Sequence, residues 1–130
     1  MRQSRYELPL RWGDMDAMQH LNNVQYFRLF EEARIRWFVE QGLPALPVGQ
    51  APILAHVSCD FVKAMVYPAT AVVFQSVEKL GTSSVTMDLR IERLDEPGVV
   101  HAKGRSVIVW YDYDAGCSRP WPQAVRDRLA

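Results

Sequence analysis

The sequence predicts an α+β fold, with one antiparallel sheet curling around a single long helix, and three observations carry that expectation. A strand-patterned segment comes first, a well-capped helix follows, and four long strand-patterned runs joined by hairpin-type turns fill the rest. Short connections make consecutive strands antiparallel neighbours, because parallel pairing needs a crossover of roughly a dozen residues or more. At 130 residues the chain suits one core, and one domain over residues 1–130 is expected.

The first element is a strand from Arg5 to Trp12. Tyr6, Leu8, Leu10 and Trp12 alternate with Arg5, Glu7, Pro9 and Arg11, so one face is apolar and the other polar. Pro9 lacks a backbone donor and suits a strand with an unpaired edge. The helix, 23–41, is the best-signalled element. Asn22 is a good N-cap, Gln25 stands where a capping box puts its partner, and Leu21 can staple onto Tyr26. Gly42 tolerates the left-handed conformation that ends a helix, and Pro44 blocks continuation. Wound at about 100° per residue, Tyr26, Leu29, Phe30, Ala33 and Trp37 share a face, with Phe27 and Phe38 beside them. Val24, Ile35 and Val39 fall opposite, which predicts a helix lying in a concavity or at a subunit contact. Arg28, Glu32, Arg36 and Glu40 form a solvated seam at i,i+4 spacing, and Glu31, Glu32 and Arg34 join it by i,i+3 and i,i+4 pairing.

Residues 43–52 carry three prolines and a glycine and predict a loop. Beyond it the runs Ile53–Lys63, Thr70–Leu80, Val85–Leu94 and Val99–Tyr111 are rich in Val, Ile, Thr and aromatic residues and read as strands. Gly81-Thr82 and Asp95-Glu96-Pro97-Gly98 connect them as hairpin turns. After a turn over 112–117, residues 124–129 predict a short terminal helix.

Composition narrows the function. Lys plus Arg number 15 against 15 for Asp plus Glu, so no net positive field draws in nucleic acid or an anionic membrane. No apolar run reaches the ~20 residues that span a bilayer, and the first ten residues lack the apolar stretch of a signal peptide. The expectation is a soluble cytoplasmic protein with no nucleic-acid or membrane partner. Cys59 and Cys117 lie far apart without metal-ligand spacing, so a reduced pair and no metal site are expected.

Ionisable groups crowd the segment between first strand and helix, Asp14-Met15-Asp16-Ala17-Met18-Gln19-His20. A helix N-terminus presents unpaired N–H groups and the positive end of a dipole, which together can hold a developing oxyanion. With Asn22 as N-cap, the Asn23 N–H is left without an intrahelical partner. A carboxylate from Asp16 or Asp14 beside that donor makes a minimal acyl-transfer site. The same residues also serve a purely structural loop, because Asp closes Asx-turns and complements the dipole.

The stretch Trp12-Gly13-Asp14-Met15-Asp16-Ala17-Met18-Gln19-His20-Leu21-Asn22-Asn23-Val24-Gln25-Tyr26, followed by Phe30-Glu31-Glu32-Ala33-Arg34, resembles the signature of the hotdog-fold thioesterases. Among them it is most similar to the 4-hydroxybenzoyl-CoA thioesterase-like acyl-CoA thioesterases. The strand-helix-four-strand order and the length agree along the chain. The resemblance implies a helix wrapped by its sheet, copies that pair edge to edge into a dimer or homotetramer, and active sites at the dimer interface. It implies hydrolysis of an acyl-CoA or aroyl-CoA, with Asp16 as nucleophile or general base, the Asn23 N–H holding the thioester oxygen, and no cofactor.

His20 can protonate the leaving thiolate or orient the loop, Asp14 orients the loop, and Asn22 and Tyr26 lie where substrate would pass. Cations for the CoA phosphates are sought in Lys63 and Arg90, with Lys103, Arg105 and Arg119 as further candidates, since no glycine-rich phosphate loop is present. Met15, Met18, Met65 and Met87 can furnish a soft acyl pocket or fill the core. Gln19 stands where relatives carry glycine. If that glycine holds a positive φ, Gln19 must adopt it or shift the loop, at a cost on the order of 1 kcal/mol. A non-catalytic hotdog protein that binds acyl-CoA or acyl carrier protein is the alternative reading.

Overall fold

The structure, a computed structural model, describes residues 3–43 and 49–130. Its elements run β1 (Gln3–Pro9), a 3-10 turn (Trp12–Asp14), α1 (Asn23–Glu40), β2 (Gln50–Phe61), β3 (Thr70–Leu80), β4 (Ser84–Arg93), β5 (Val100–Asp112), β6 (Cys117–Ser118) and α2 (Gln123–Leu129). The strands form a single antiparallel sheet in the order β1-β3-β4-β5-β2, with the two-residue β6 paired to β5. This is the hotdog arrangement, a helix held against a curled antiparallel sheet.

Register follows from burial. Tyr6 lies opposite Val73, Val73 opposite Ile91, and Ile91 opposite Ala102, all buried on the face turned to the helix. Arg5, Phe74, Arg90 and Lys103 form the matching row on the outer face. From α1, Tyr26, Phe30, Ala33, Trp37 and Phe38 enter the core. Val24, Ile35 and Val39 stay exposed, as their place opposite that face dictates. Asn22 caps the helix, its Oδ1 accepting from the Val24 N–H at 2.9 Å, so the cap bond closes on Val24 and not on a Gln25 box. Gly42 ends it at φ 75°. Pro44 lies outside the described residues.

Several boundaries differ from the sequence pattern, most of them by one or two residues, and the larger shifts have physical reasons. The first strand stops at Pro9, because the last bond to its neighbour, Leu10 N–H to Ala69 C=O, precedes the 3-10 turn, and Trp12 swings out to 78% exposure. Strand β2 begins at Gln50, inside the predicted loop, because Gln50–Pro52 pair with Trp110–Asp112, and it ends at Phe61, two residues early. The β6 pairing is too short to leave a pattern in sequence. Gly104 is needed where β2 and β5 meet, since a Cβ there would overlap the Ser58 carbonyl. Helix α2 closes the far end, with Trp121 tilted against Trp110, 5.7 Å between ring centres, and Arg128 Nη1 donating to the Gln41 carbonyl at 2.7 Å. No helix among the described residues is long and apolar enough to cross a membrane.

Candidate active site

Residues 14–22 fold as a miniature hairpin. Met15 bridges Leu21, the Asp16 N–H donates to the His20 carbonyl at 3.0 Å, and the Asn22 N–H donates to the Asp14 carbonyl at 3.1 Å. Side chains alternate across such a ladder. Met15 and Leu21 therefore turn toward the core, and Asp16 and His20 stand opposite each other on the other face. The tip closes through Gln19 at φ 62°, so Gln19 adopts the left-handed conformation directly, and its N–H donates to the Asp16 carbonyl at 2.9 Å.

The hairpin is anchored from one side. Leu21 N–H donates to the Met65 carbonyl at 2.8 Å, and Tyr67 N–H meets the Met15 thioether at 3.4 Å. Tyr26, one turn into the helix, is buried with its ring edge-on to Phe61 at 5.0 Å and its hydroxyl bonded to the Met65 backbone. Burial pushes the Tyr26 pKa above the ordinary phenol value, and the nearby Cys59 adds to the shift. A residue predicted to meet substrate is thus also a core support for the hairpin.

The two aspartates have different surroundings. Asp14 is buried, its Oδ2 accepting from the Arg11 N–H at 2.8 Å and its Oδ1 lying 3.4 Å from the Arg11 guanidinium. Asp16 is half-buried, and its Oδ1 accepts from the Met18 N–H at 2.9 Å in an Asx-turn. Among the described residues its Oδ2 meets no donor. Asn23 is the first helical residue, and its N–H has no acceptor among the described residues. One free carboxylate oxygen and one free helix-end donor thus flank the same hairpin. His20 is exposed beside them.

The predicted cations part company. Lys63 follows β2 two residues before Met65, on the segment that anchors the hairpin, with its Nζ 3.0 Å from Glu96. Arg90 sits on the outer sheet face, its guanidinium carbon 4.3 Å from the Phe74 ring centre and its Nε 2.7 Å from Glu92. It lines a groove of about 500 Å³ with Gln3, Tyr6 and Glu40, at the C-terminal end of α1 and so away from Asn23. Arg105 pairs with Glu78 and Arg119 with Asp112, while Lys103 stands opposite Arg90. Met65 and Met87 are fully buried, Met15 is half-buried, and Met18 is 76% exposed at the hairpin tip. Among the described residues no cluster of three His, Cys, Asp or Glu is placed to hold a metal ion.

On the helix, Arg28 pairs with Glu31 at 3.9 Å and Arg36 with Glu32 at 3.3 Å. Arg34 makes no such pair and is buried at 8% exposure, contrary to the solvated-seam expectation. Spacing alone offered it Glu31. The signal that could have flagged it is its angular position among the aromatic residues of the buried face.

A sequence model of the thioesterase-like superfamily matches residues 10–129. Among solved structures, the chain is similar to a candidate thioesterase of Pseudomonas aeruginosa, at 34% identity and TM-score 0.92 over 97% of each chain. It is also similar to a candidate acyl-CoA thioesterase of Xanthomonas campestris, at 35% identity and TM-score 0.80 over 89% of this chain and 97% of that one. The protein YsmA of Bacillus subtilis is 24% identical over 95% of this chain and 82% of its own.

Proposed function

We propose that this chain, which belongs to the thioesterase-like superfamily, hydrolyses an acyl-CoA or aroyl-CoA thioester to the free acid and CoA, in the cytoplasm. The observation that carries the reading is the hairpin that sets a carboxylate with one free oxygen, Asp16, beside a helix whose first N–H, on Asn23, is unengaged. The Xanthomonas protein's description as a candidate acyl-CoA thioesterase supports CoA as the thiol.

The chemistry follows from those two groups. Asp16 either attacks the carbonyl carbon itself or takes a proton from the water that does. In both cases the carbonyl π pair moves onto oxygen, where the Asn23 N–H and the dipole end of α1 stabilise it. Collapse re-forms the carbonyl and breaks the C–S bond, and the departing thiolate takes a proton, for which His20, across the hairpin from Asp16, is the candidate donor. If Asp16 attacks, water then cleaves the mixed anhydride and returns the carboxylate. Lys63 is the cation best placed for a CoA phosphate, since it shares the anchoring segment. Arg90, on β4 and lining a groove with Glu40, lies toward the other end of α1 and is the weaker candidate.

The active unit is a dimer joined through β2, itself able to pair again into a tetramer. In support, β2 is a sheet edge with unpaired backbone groups, and Leu54, Phe61 and Val62 on or beside it are exposed. The test is thiol release from a panel of acyl- and aroyl-CoA esters by wild type and Asp16→Asn, matched in circular dichroism and assembly size. Wild-type turnover that falls by about 10²–10⁴ in the folded variant is expected. Turnover unchanged by Asp16→Asn refutes the assignment, and no wild-type turnover on any ester refutes CoA thioesters as substrates.

A further inference from the structure

Helix α1 holds a buried charge, Arg34, that the described residues leave without a partner in contact. Arg34 is 8% exposed, and among the described residues its guanidinium meets neither a carboxylate within ion-pair distance nor a hydrogen-bond acceptor. Desolvation pulls its pKa below the ordinary arginine value, and only the more distant charge of Glu31 opposes that shift. Taking a lone guanidinium out of water is costly even after relaxation, whereas an apolar residue on this buried face would be free of that cost.

Position on the helix indicates where a partner could come from. At about 100° per residue, Phe27, Glu31, Arg34 and Phe38 form one stripe spanning about 60° of the helix surface. The stripe faces the β2 side, because the Phe27 ring packs edge-on to Phe61 at the end of β2, 6.3 Å between centroids. Strand β2 is one of the two edges of the sheet, the one on this side of the helix. Two copies joined through that edge by a two-fold axis set the stripe against itself in antiparallel sense, so positions meet in pairs whose numbers have a constant sum. The register that places residue 31 against residue 34 also places Phe27 against Phe38. It is self-complementary in charge. Glu31 is available for it, since its contact with Arg28 is at 3.9 Å between side chains that are 72% and 55% exposed.

We propose that Arg34 is an interface residue whose acceptor is the partner subunit's Glu31, forming two equivalent ion pairs across a two-fold dimer of this chain. The inference rests on the dimer reading given above and adds to it the register of the two helices. The pairs act on specificity of assembly: a copy displaced by one helical turn leaves both guanidiniums buried and unpaired, which penalises the wrong register.

The experiment is charge-swap complementation read by sedimentation equilibrium. Arg34→Glu and Glu31→Arg each set like charges against one another at both contacts, and each alone is expected to weaken the dimer by at least about thirtyfold. An equimolar mixture is expected to recover wild-type affinity as a heterodimer, which contains one native and one reversed pair. Should Arg34→Glu not fold alone, co-expression with differently tagged Glu31→Arg gives the same readout as recovered soluble heterodimer. Recovery only when both changes are in one chain, and not on mixing, identifies a pair within the helix and overturns the proposal. Unweakened single variants overturn it too. A wild type that stays monomeric at all concentrations instead sinks the dimer reading, so the two failures are distinct.

Discussion

Replacing Gln19 with glycine should stabilise the protein, although glycine usually costs stability. Gln19 holds φ 62°, where the Cβ of an L-residue crowds the following carbonyl, at about 1–2 kcal/mol. Its side chain is exposed and the hydrogen bond it contributes is made by its backbone N–H, so Gln19→Gly removes no contact. Against the relief stands the extra freedom of glycine in the unfolded chain, about 0.5–1 kcal/mol. The difference leaves a net gain of about 0.5–1 kcal/mol. For a chain of 130 residues, at about 2.1 cal/mol/K of unfolding entropy per residue, that gain raises Tm by about 2–4 °C. Two controls fix the interpretation. Gln19→Ala keeps the Cβ and should stay within about 0.5 kcal/mol of wild type, while Gln19→Val, β-branched at a positive φ, should lose about 1 kcal/mol or more. The assay is thermal unfolding followed by circular dichroism at a fixed protein concentration. A Tm for Gln19→Gly below that of wild type would refute the argument, because it would mean that the left-handed conformation carries no strain here.

Three further outcomes follow from the same geometry. Asp14→Asn should cost about 1–2 kcal/mol of stability, through its bonds to Arg11, while sparing most turnover, the reverse of Asp16→Asn; equal loss of turnover in both would put chemistry on Asp14 as well. Gly104→Ala forces β5 away from the Ser58 carbonyl and should destabilise by about 2–3 kcal/mol in chemical denaturation; a near-neutral result would mean that β2 pairs more loosely than described. Burial pushes the Cys59 thiol up to about 11, with the Asp60 charge adding to the shift, so at pH 8 only about one thiol in a thousand is ionised. Iodoacetamide should therefore label the exposed Cys117 first, with the Cys59 rate rising about tenfold per pH unit from 8 to 10; equal labelling at pH 8, read by peptide mass, would contradict this.

What the sequence made legible was whatever neighbouring residues decide among themselves. The cap at Asn22, the stop at Gly42 and the alternation of Val85, Met87, Leu89 and Ile91 all depend on side chains within a few positions, and all are found where the pattern puts them. The end of β1 depends on something else. Alternation runs on to Trp12, but the strand stops where its neighbour β3 runs out of partners at Thr70, a fact set some sixty residues away in the chain. The start of β2 was hidden for a related reason: prolines mark a loop locally, yet an edge strand tolerates one where pairing with Trp110 holds the backbone. In the candidate site, motif spacing indicated the carboxylate and the free N–H. It could not show that Lys63 shares the segment supporting the hairpin while Arg90 stands at the other end of the helix, because both belong to runs that carry the same local strand pattern.

The different roles proposed for the two aspartates rest on geometry rather than on residue type. In a three-rung hairpin, positions 14 and 16 face the same way, so periodicity cannot separate them. What separates them is how each carboxylate is engaged. Asp14 has one oxygen on a backbone N–H and the other beside a guanidinium, and it is buried, so moving it would break the turn that launches the hairpin. Asp16 lies two rungs nearer the tip, where a single bond to the Met18 N–H fixes its direction and leaves the second oxygen open. A carboxylate that must meet a carbonyl carbon needs both properties, orientation and a free lone pair. The left-handed Gln19 closes the same tip, its own N–H held by the Asp16 carbonyl while the Asp16 carboxylate takes the Met18 N–H. The strain at residue 19 and the reactivity proposed for residue 16 are consequences of the same turn.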